Sequence, residues 1–301
     1  MPQNFPEVWL QRVIHNLDNS DQASFLNGIS ELDVDVAQIN QGQMSEKNKI
    51  YVPTTEFDVD VLINNNTYPI PIQEYDDDTI EITLDKFQTK VVTLSDDQII
   101  GASYDKIDKV TKTAVRSISS TKYKKAIHAI APMQNTADTP VIEATGDDDG
   151  TGRKRLTYND LVALKKAADD AGWSPENRRL VLQSDHWNDL LLDRDRFGNL
   201  LVDYKKGKPA PVIAGFEIHS YPVMPLYNSS KTKKPFNSIQ EAGDKVASVA
   251  FVTTKIAKKT GLTKQYFLPA KMNTKTQTND LAYRHYFVVV PFQAKYVGAI
   301  I

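Results

Sequence analysis

The sequence contains no cysteine, and this absence removes several kinds of chemistry at once. Disulfides, thiolate zinc sites, iron–sulfur clusters and cysteine nucleophiles all need that residue. The chain also lacks any run of about 18 apolar residues, the length that a membrane-spanning helix requires, and it does not open with the basic and apolar segments of a secretory signal. We therefore expect synthesis in a reducing cytoplasm, without secretion or membrane insertion.

An excess of charge of either sign is missing too. The 301 residues include 36 Lys plus Arg and 38 Asp plus Glu, which gives a formal net charge of -2. Such a balance creates no field that would draw the whole surface to nucleic acid or anionic lipid, so any contact with DNA should be local and weak. The hydrophobic share of 41% is ordinary for a soluble globular protein and suffices for two subdomains with cores of their own.

Motifs for nucleotide, calcium and nucleophile sites are also absent. The stretch GDDDGTGRK at 146–154 lacks the spacing of a phosphate-binding loop, and its three aspartates would repel phosphate. It lacks the calcium-loop pattern as well, so we expect a solvated acidic loop. Gly101 to Asp105 begin like a nucleophile elbow but have no closing glycine. The five histidines show no metal-ligand spacing and should be surface or packed residues: His15, His128, His186, His219 and His285. We predict no enzyme, no cofactor and no metal.

A modestly basic region lies in the C-terminal third of the chain. It has no interleaved aromatic residues, so we expect a solvated face, with a nucleic-acid groove as the alternative. Its members are Lys231, Lys233, Lys234, Lys255, Lys258 and Lys259.

The N-terminal segment from Pro6 to Leu26 predicts an amphipathic arm. Its apolar residues recur at helical spacing at Val8, Trp9, Val13, Ile14 and Leu17. Two placements are open: the arm packs on its own domain, or it docks on a neighbouring subunit.

Residues 50–94 predict a long extended hairpin with little core of its own. Alternation over 57–63 indicates a strand, and the asparagines at 64–66 tolerate turn geometry. The prolines within 68–72 confine that segment to a sheet edge, and an acidic turn follows at 75–78. The stretch TIEITLDKFQTKVVTL at 79–94 predicts one long strand, whose alternation slips by one residue near Phe87, as a bulge or a strong twist would cause.

A long, thinly apolar helix is predicted for 95–131, ended by Pro132. Ser95 and Gln98 have the spacing of a capping box, and apolar residues follow at intervals of three and four. Such a helix would be on the order of 50 Å long, although the SISS stretch at 117–120 could divide it. Its polar remainder predicts a rod that lies across a surface.

The small, acidic and glycine-rich composition of 133–155 marks the expected boundary between subdomains. Beyond it we predict an α+β domain. Its elements are a helix capped by Thr157 and Asp160 and closed by Gly172, a buried strand at 180–182, a short helix at 185–192, and strands at 211–222 and 245–254. A terminal β segment at 283–297 returns the chain to a sheet.

This order of elements resembles the major capsid protein of tailed bacteriophages, whose fold encapsulins and the herpesvirus capsid floor share. The resemblance covers nearly the whole chain. It is carried by TIEITLDKFQTKVVTLSDDQIIGASYDKI at 79–107, RLVLQSDHWNDLLLDRDRFGNLL at 179–201 and PVIAGFEIHSYPVMP at 211–225. It implies an α+β fold with an N-terminal arm and the start of the peripheral domain at 1–49, an E-loop at 50–94, a spine helix and peripheral domain at 95–144, an axial domain at 145–270 and a C-terminal β segment of the peripheral domain at 271–301.

The function that this resemblance implies is structural. Copies would assemble as pentamers and hexamers into an icosahedral virion head around double-stranded DNA, in the host cytoplasm and without a membrane. The implied partners are the chain itself, portal and scaffolding proteins, and decoration or head-completion proteins. We expect a separate scaffolding protein rather than an N-terminal scaffold region.

Assembly contacts are expected where the E-loop of one copy lies over the next. The acidic turn would meet lysines of an adjacent spine, and Trp9 would lie on the N-terminal arm. The residues of this contact are Tyr75, Asp76, Asp77, Asp78, Lys122, Lys124 and Lys125. Lys86 and Lys90 of the E-loop are expected among these assembly contacts as well. Some family members form a covalent crosslink from an E-loop lysine, but no motif identifies a partner asparagine, so no crosslink is expected.

Two alternatives remain open at this point. An encapsulin-like shell would keep the fold and enclose an enzyme instead of a genome. A hydrolase or carbohydrate-binding enzyme would stay monomeric or small and would have a pocket with converging polar groups.

Overall fold

The structure is a computed structural model of the chain. It describes residues 10–11, 13–14, 17, 21–33, 49–54, 61–66, 68–70, 78–95, 104–192, 202–203, 208–209, 212–273 and 275–301. The chain divides into two compact units, one formed by Asp33–Asp85 and the other by Met1–Leu32 with Lys86–Ile301. The domain boundaries that the sequence suggested remain predictions.

The smaller unit is built on a two-stranded antiparallel hairpin. Strand β1 (Lys49–Thr54) pairs with β2 (Asp78–Thr83), so that Ile50 lies opposite Ile82, and both side chains are buried. The paired arms confirm the predicted hairpin. Between them Asn64 adopts a left-handed φ of 54°, as the turn prediction requires. Residues 61–62 are not in a strand, so the strand predicted for 57–63 is wrong there, and its residues 57–60 lie outside the described part.

The long strand predicted for 79–94 is in fact three short strands. After β2 the chain forms β3 (Asp85–Gln88) and β4 (Val92–Ser95), with breaks at Leu84 and at 89–91. Strands β3 and β4 both pair with a later strand of the larger unit, whereas β2 pairs with β1. Phe87 is buried in the larger core, so the predicted slip in alternation marks the place where the chain changes sheets.

Helix α1 (Tyr104–Ile130) is the longest helix in the described part of the chain. Its 27 residues span about 40 Å and continue without interruption through 117–120, so the suggested division is wrong. The helix ends two residues before Pro132, as predicted. Ser95 ends strand β4, and residues 96–103 of the expected helix start lie outside the described part. Within the described ranges, no helix combines the length and the apolar composition that a bilayer crossing requires.

A six-stranded mixed sheet forms the centre of the larger unit. Its members are β5 (Val141–Ile142), β6 (Arg178–Leu182), β9 (Val212–Ile213), β10 (Phe216–Ser220), β13 (Ser248–Val252) and β16 (Val297–Ile300). They lie in the order β5-β16-β13-β6-β10-β9, with β6–β10 and β5–β16 parallel. Every residue of β13 and β16 is buried, which fits strands covered on both faces.

Two predicted helices of this region are confirmed, α2 (Tyr158–Asp170) and α3 (Ser184–Leu192). Asp160 accepts hydrogen bonds from the Thr157 backbone N–H at 2.8 Å and from its hydroxyl at 2.8 Å, and Gly172 follows the helix with a φ of 72°. These are the cap and the stop that the sequence indicated.

A second, four-stranded sheet packs against α1. It contains β14 (Ile256–Leu268) and β15 (Thr278–Pro291) beside β3 and β4. The predicted terminal β segment is therefore split, because β15 lies here against α1 while β16 joins the central sheet. Two small hairpins complete the described strands: β7 (Val202–Asp203) with β8 (Lys208–Pro209), and β11 (Leu226–Tyr227) with β12 (Lys245–Val246).

The described part of the N-terminal segment packs on its own chain. Its residues between positions 10 and 17 are helical, and Val13 and Leu17 are buried in the core that includes α1. A short 3-10 helix follows at Asp21–Leu26, and Arg179 donates to the Phe25 and Asn27 carbonyl oxygens at 3.1 and 2.6 Å. For Val13 and Leu17 the structure therefore agrees with the first placement, in which the arm packs on its own domain. Trp9 lies outside the described part.

Candidate assembly interface

The hairpin loop of the smaller unit exposes an unusual set of apolar side chains. Val61 is 81% exposed and Ile63 is 84% exposed. Other large apolar side chains of residues 61–70 are exposed as well: Leu62, Tyr68 and Ile70. We call these residues the loop patch. Clustered apolar groups in water are costly and commonly mark a contact with another molecule.

A second candidate surface is a groove of about 640 Å³ in the larger unit, between α1 and strands β3, β4 and β15. We call it the α1 groove. Its apolar lining residues are Phe87, Val92, Val110, Ala114, Ile118, Leu281 and Tyr283, and Lys86, Lys90 and Lys109 also line it. The sequence alone could not predict this groove, because its lining residues come from segments that are far apart in the chain. The small residues Thr113, Ala114 and Ser117 on α1 are the one sequence feature that could have indicated a depression on the surface of the helix.

Lys122 was predicted as a surface contact, but the structure places it in the interior. It is 3% exposed, and its Nζ donates to the Leu17 carbonyl oxygen at 3.4 Å. The same Nζ lies 4.9 Å from the ring centroids of Tyr123 and Phe287. Because this face of α1 is turned toward β15 and the N-terminal segment, the ammonium group is not available on the surface of one chain.

The other predicted contact residues are only partly brought together. Lys124 is half-buried, donates from Nζ to Asn237 Oδ1 at 2.7 Å, and lies over the Phe236 ring. Lys125 is also half-buried. Of the acidic turn, the structure gives only the backbone of Asp78, at the start of β2, while Tyr75, Asp76 and Asp77 lie outside the described part. The contact between copies stays a prediction.

The basic region is only partly the solvated face that we expected, because Lys233 is buried and the other lysines, which are at least partly exposed, make contacts within the chain. Lys233 is buried and its Nζ donates to the carbonyl oxygens of His128 and Ala131, at 2.8 and 2.6 Å, closing the end of α1. Burial lowers the pKa of Lys233 to about 8. Lys234 pairs with Glu241 and Asp244 at 2.8 and 2.6 Å.

The remaining lysines of that region also have contacts within the chain. Lys231 lies 3.3 Å from Glu143, and Lys258 lies 3.9 Å from Glu31. Lys259 Nζ donates to the Leu32 carbonyl oxygen at 2.8 Å, and Lys255 lies over the Tyr296 ring. The structure therefore does not support a nucleic-acid groove built from these six lysines.

The acidic loop at 146–154 is held by its own side chains. Asp148 Oδ1 accepts the backbone N–H groups of Gly150 and Gly152, at 2.6 and 3.1 Å, so these amides cannot cradle a phosphate. Hydrogen bonds from Thr151, aided by Arg153, lower the pKa of Asp149 to about 2. Arg153 also makes a two-point ion pair with the buried Asp189, at 2.7 and 3.0 Å. The loop is solvent-exposed, as expected, and its side chains also hold it in an ordered hydrogen-bond network.

The histidines in the described part are packed, as predicted. His186 is buried and its Nδ1 lies 2.7 Å from Ser248 Oγ. This pair is the closest approach to a nucleophile and a base that we find in the described residues. However, Ser248 is fully buried and its Oγ accepts the Gln183 N–H at 3.0 Å, so no substrate can reach it. Burial lowers the pKa of His186 to about 4.

The other three described histidines make similar internal contacts. His285 Nδ1 lies 2.9 Å from Thr263 Oγ1, and burial lowers the pKa of His285 to about 3. His219 meets Ser24, and His128 Nε2 lies 2.9 Å from the Lys234 carbonyl oxygen. Among the described residues, no group of three or more acidic or histidine side chains could hold a metal ion.

Comparison with solved structures shows which fold this is. The capsid of the cyanophage P-SCSP1u is similar with a TM-score of 0.59 and 15% identity, covering 84% of this chain and 83% of that one. The capsid of a native GTA particle is similar with a TM-score of 0.61 and 10% identity, covering 93% and 89%. A virus-like particle from Pyrococcus furiosus is similar with a TM-score of 0.57 and 11% identity, covering 99% and 100%. The fold is thus the α+β fold of tailed-phage capsids.

Sequence comparison gives the family. No curated protein sequence matches the chain. A family model described as phage capsid protein matches residues 77–301, which is most of the chain. That range begins just before β2 and contains every described element of the larger unit from β3 onward. The chain therefore belongs to the phage capsid protein family and is a structural capsid protein.

Proposed function

We propose that this chain is a major capsid protein whose copies form pentamers and hexamers, and that these close into an icosahedral head around double-stranded DNA. Family membership supports the proposal, as do the shell particles among its structural relatives. In a closed shell many modest contacts add up, because symmetry repeats each of them.

The observation that carries this proposal is the exposed loop patch. Its apolar side chains project from a hairpin that has only two paired strands, and a two-stranded hairpin with exposed apolar groups is marginal in water. In the proposed shell a neighbouring copy covers this patch. The hairpin then corresponds to the E-loop, and α1 to the spine of the peripheral domain.

Charge should assist the same contact. We retain the acidic turn at Asp76, Asp77 and Asp78 as one side, and the lysines Lys124 and Lys125 of an adjacent copy as the other. Lys122 no longer belongs to this set, because it is buried. Reversing the three aspartates to lysine should leave soluble capsomers or monomers, and intact shells from that variant would contradict the contact.

The wider partners follow from the same proposal. A portal and a scaffolding protein, and decoration or head-completion proteins, would meet the shell, and packaged DNA would be held by weak, non-specific contacts. Assembly would take place in the host cytoplasm. No catalytic role is proposed, since the buried Ser248 has no route to a substrate.

The test is sedimentation of the purified chain over a range of concentrations, with negative-stain electron microscopy of the fastest fraction. Closed shells of uniform size, or rings of five and six copies, are expected. A monomer or dimer peak that neither crowding nor salt converts into larger particles would contradict the proposal.

An encapsulin-like compartment is the second candidate. It is favoured by the similarity to the virus-like particle from Pyrococcus furiosus, which extends over nearly the full length of both chains. Particle contents distinguish the two: nuclease-protected double-stranded DNA supports a phage head, whereas a stoichiometric enzyme without nucleic acid supports the compartment.

A further inference from the structure

The segment of residues 23–32 contacts both large sheets of the larger unit. We propose that this segment, which we call the strap, is a conformational device: while it is docked it holds the two sheets at one angle, and its release lets that angle vary. This inference goes beyond the proposed function, because it concerns the shape of a single copy. Only its consequence for assembly rests on that function.

On the central sheet the strap is held by Arg179 of β6. The Arg179 Nη1 donates to the carbonyl oxygens of Phe25 and Asn27, at 3.1 and 2.6 Å. Its Nε pairs with Glu217 on the neighbouring strand β10, at 2.7 Å. A planar guanidinium can make these contacts together from one orientation, whereas an ammonium group cannot. Arg179 therefore attaches the main chain of the strap to two strands of this sheet.

On the second sheet the strap is held by the first residues of β14. The Leu32 N–H donates to the Lys258 carbonyl oxygen at 2.9 Å, beside a parallel bridge between Glu31 and Lys258. The Lys259 Nζ donates to the Leu32 carbonyl oxygen at 2.8 Å, and the Thr260 hydroxyl donates to Glu31 Oε1 at 2.6 Å. The two ends of the strap are thus attached to different sheets.

Between these attachments, apolar side chains of the strap enter the core that both sheets share. Phe25, Leu26 and Ile29 are buried. The same core cluster contains Phe251 of the central sheet and Phe287 of the second sheet. Removing such side chains from water is favourable, which keeps the strap docked in a single copy.

The covalent connections between the two sheets are short and lie side by side. Strand β13 leads into β14 through the 3-10 helix Thr253–Lys255, and β15 leads into β16 through residues 292–296. Since β13 pairs with β16 and β14 pairs with β15, both connections cross at the same place. A few residues at the ends of elements are the usual site of a hinge.

Without the strap, rotation about these connections would be restrained by the shared core and by α1, which lies against β15 and β13. Apolar contacts have little directional preference, whereas the hydrogen bonds of the strap have a strong one. A closed shell needs copies that present their contact surfaces in one orientation, because otherwise the symmetry does not close. Docking of the strap should therefore select one particle size, and copies with a variable angle should form particles of several sizes or open sheets.

The experiment measures the angle in the free, full-length chain. Because the sequence has no cysteine, Lys166→Cys with Lys271→Cys introduces two unique sites for spin labels. Lys166 is exposed on α2, which packs on the central sheet, and Lys271 is exposed in the turn between β14 and β15. Electron paramagnetic resonance gives the distribution of distances between the two labels. One narrow distribution is expected for this background.

Arg179→Ala removes the attachment to the central sheet and should broaden this distribution or add a second maximum. It should also make the Leu32 amide exchange its hydrogen roughly tenfold faster. Arg179→Lys keeps the charge without the fork of donors and should give an intermediate width. Lys245→Ala, the control, removes an ion pair with Glu143 outside the strap and should leave the width unaltered.

Circular dichroism checks that each variant folds. If Arg179→Ala does not fold, Thr260→Val takes its place, because it removes the hydroxyl that donates to Glu31 at the other end of the strap. This variant should broaden the distribution as well.

Three results would overturn the inference. The first is a broad distribution in the background chain, and the second is equal broadening by Lys245→Ala. The third is a narrow distribution in Arg179→Ala and Thr260→Val even where their stability falls, since the strap would then only stabilise the fold. Negative-stain electron microscopy tests the consequence for assembly, and uniform shells from a variant with a broadened distribution would contradict it. If the unaltered chain forms no shells, the proposed function is wrong, and the distance measurements still test the strap.

Discussion

Replacing Val61 and Ile63 of the loop patch by serine should raise the concentration at which the chain assembles. The two side chains are 81% and 84% exposed in a single chain, so nearly all of their apolar surface is available for burial against a neighbour. Fully burying one such side chain contributes about 1.5–3 kcal/mol. Because association also has costs, we take the lower value for each, which gives about 3 kcal/mol per contact. A tenfold change in affinity corresponds to about 1.4 kcal/mol, so the threshold should rise by roughly a hundredfold.

Sedimentation of a dilution series measures this threshold directly. Ile239→Ser is the matched control, because Ile239 is 85% exposed but lies outside the loop patch. The control should assemble near the concentration of the unaltered chain, and circular dichroism should show that both variants fold. The reasoning is refuted if the double variant assembles at the original concentration. It is also refuted if Ile239→Ser has an equal effect, since the loss would then reflect general surface hydrophobicity.

Three further predictions concern stability. Asp189→Ala should lower the free energy of unfolding by about 3 kcal/mol, because Arg153 loses its two-point ion pair, whereas Asp185→Ala at an exposed position of the same helix should change little. Urea denaturation measures both, and similar small losses would contradict the importance of the pair. Gly146→Ala should lower the melting temperature, because the added Cβ would lie 2.4 Å from the Arg155 carbonyl oxygen; an unchanged melting curve would show that the loop adjusts. Stability should fall as the pH drops from 6.5 to 4, because unfolding lets the imidazole of His285 take up a proton that its folded pKa of about 3 prevents. His285→Asn should reduce this pH slope by about 1.4 kcal/mol per pH unit near pH 5, and an unaltered slope would contradict the cause.

The larger unit was the more predictable part of the fold. The cap at Thr157 and Asp160 and the stop at Gly172 are local signals, and the structure confirms both. Local sequence patterns gave a wrong prediction where the length of a strand depends on which other strand it pairs with. The alternating pattern of 79–94 is consistent with a continuous strand, but the chain leaves the pairing with β1 and joins β15, and only the tertiary structure determines that exchange.

The candidate interface was less predictable than the fold. Lys122, Lys124 and Lys125 look alike in sequence, yet Lys122 is buried because it lies on the face of α1 that meets β15. One position along a helix turns a side chain by about 100°, so a run of lysines cannot all face the same way. The acidic turn, in contrast, was recognisable only by its composition, and its contact remains a prediction.

The position of β16 has a consequence for how the protein folds. Strand β5, at residues 141–142, reaches the central sheet only through β16, at residues 297–300, and β16 in turn lies beside β13. The edge of the central sheet at β13 therefore stays unpaired until β16 has left the ribosome, about 150 residues after β5. Contacts between residues so distant in sequence are slow to form. A partly made chain would carry an open sheet edge, where a neighbouring chain could pair in error. Slowing synthesis after β13 should therefore increase aggregation of this protein more than slowing it before β5.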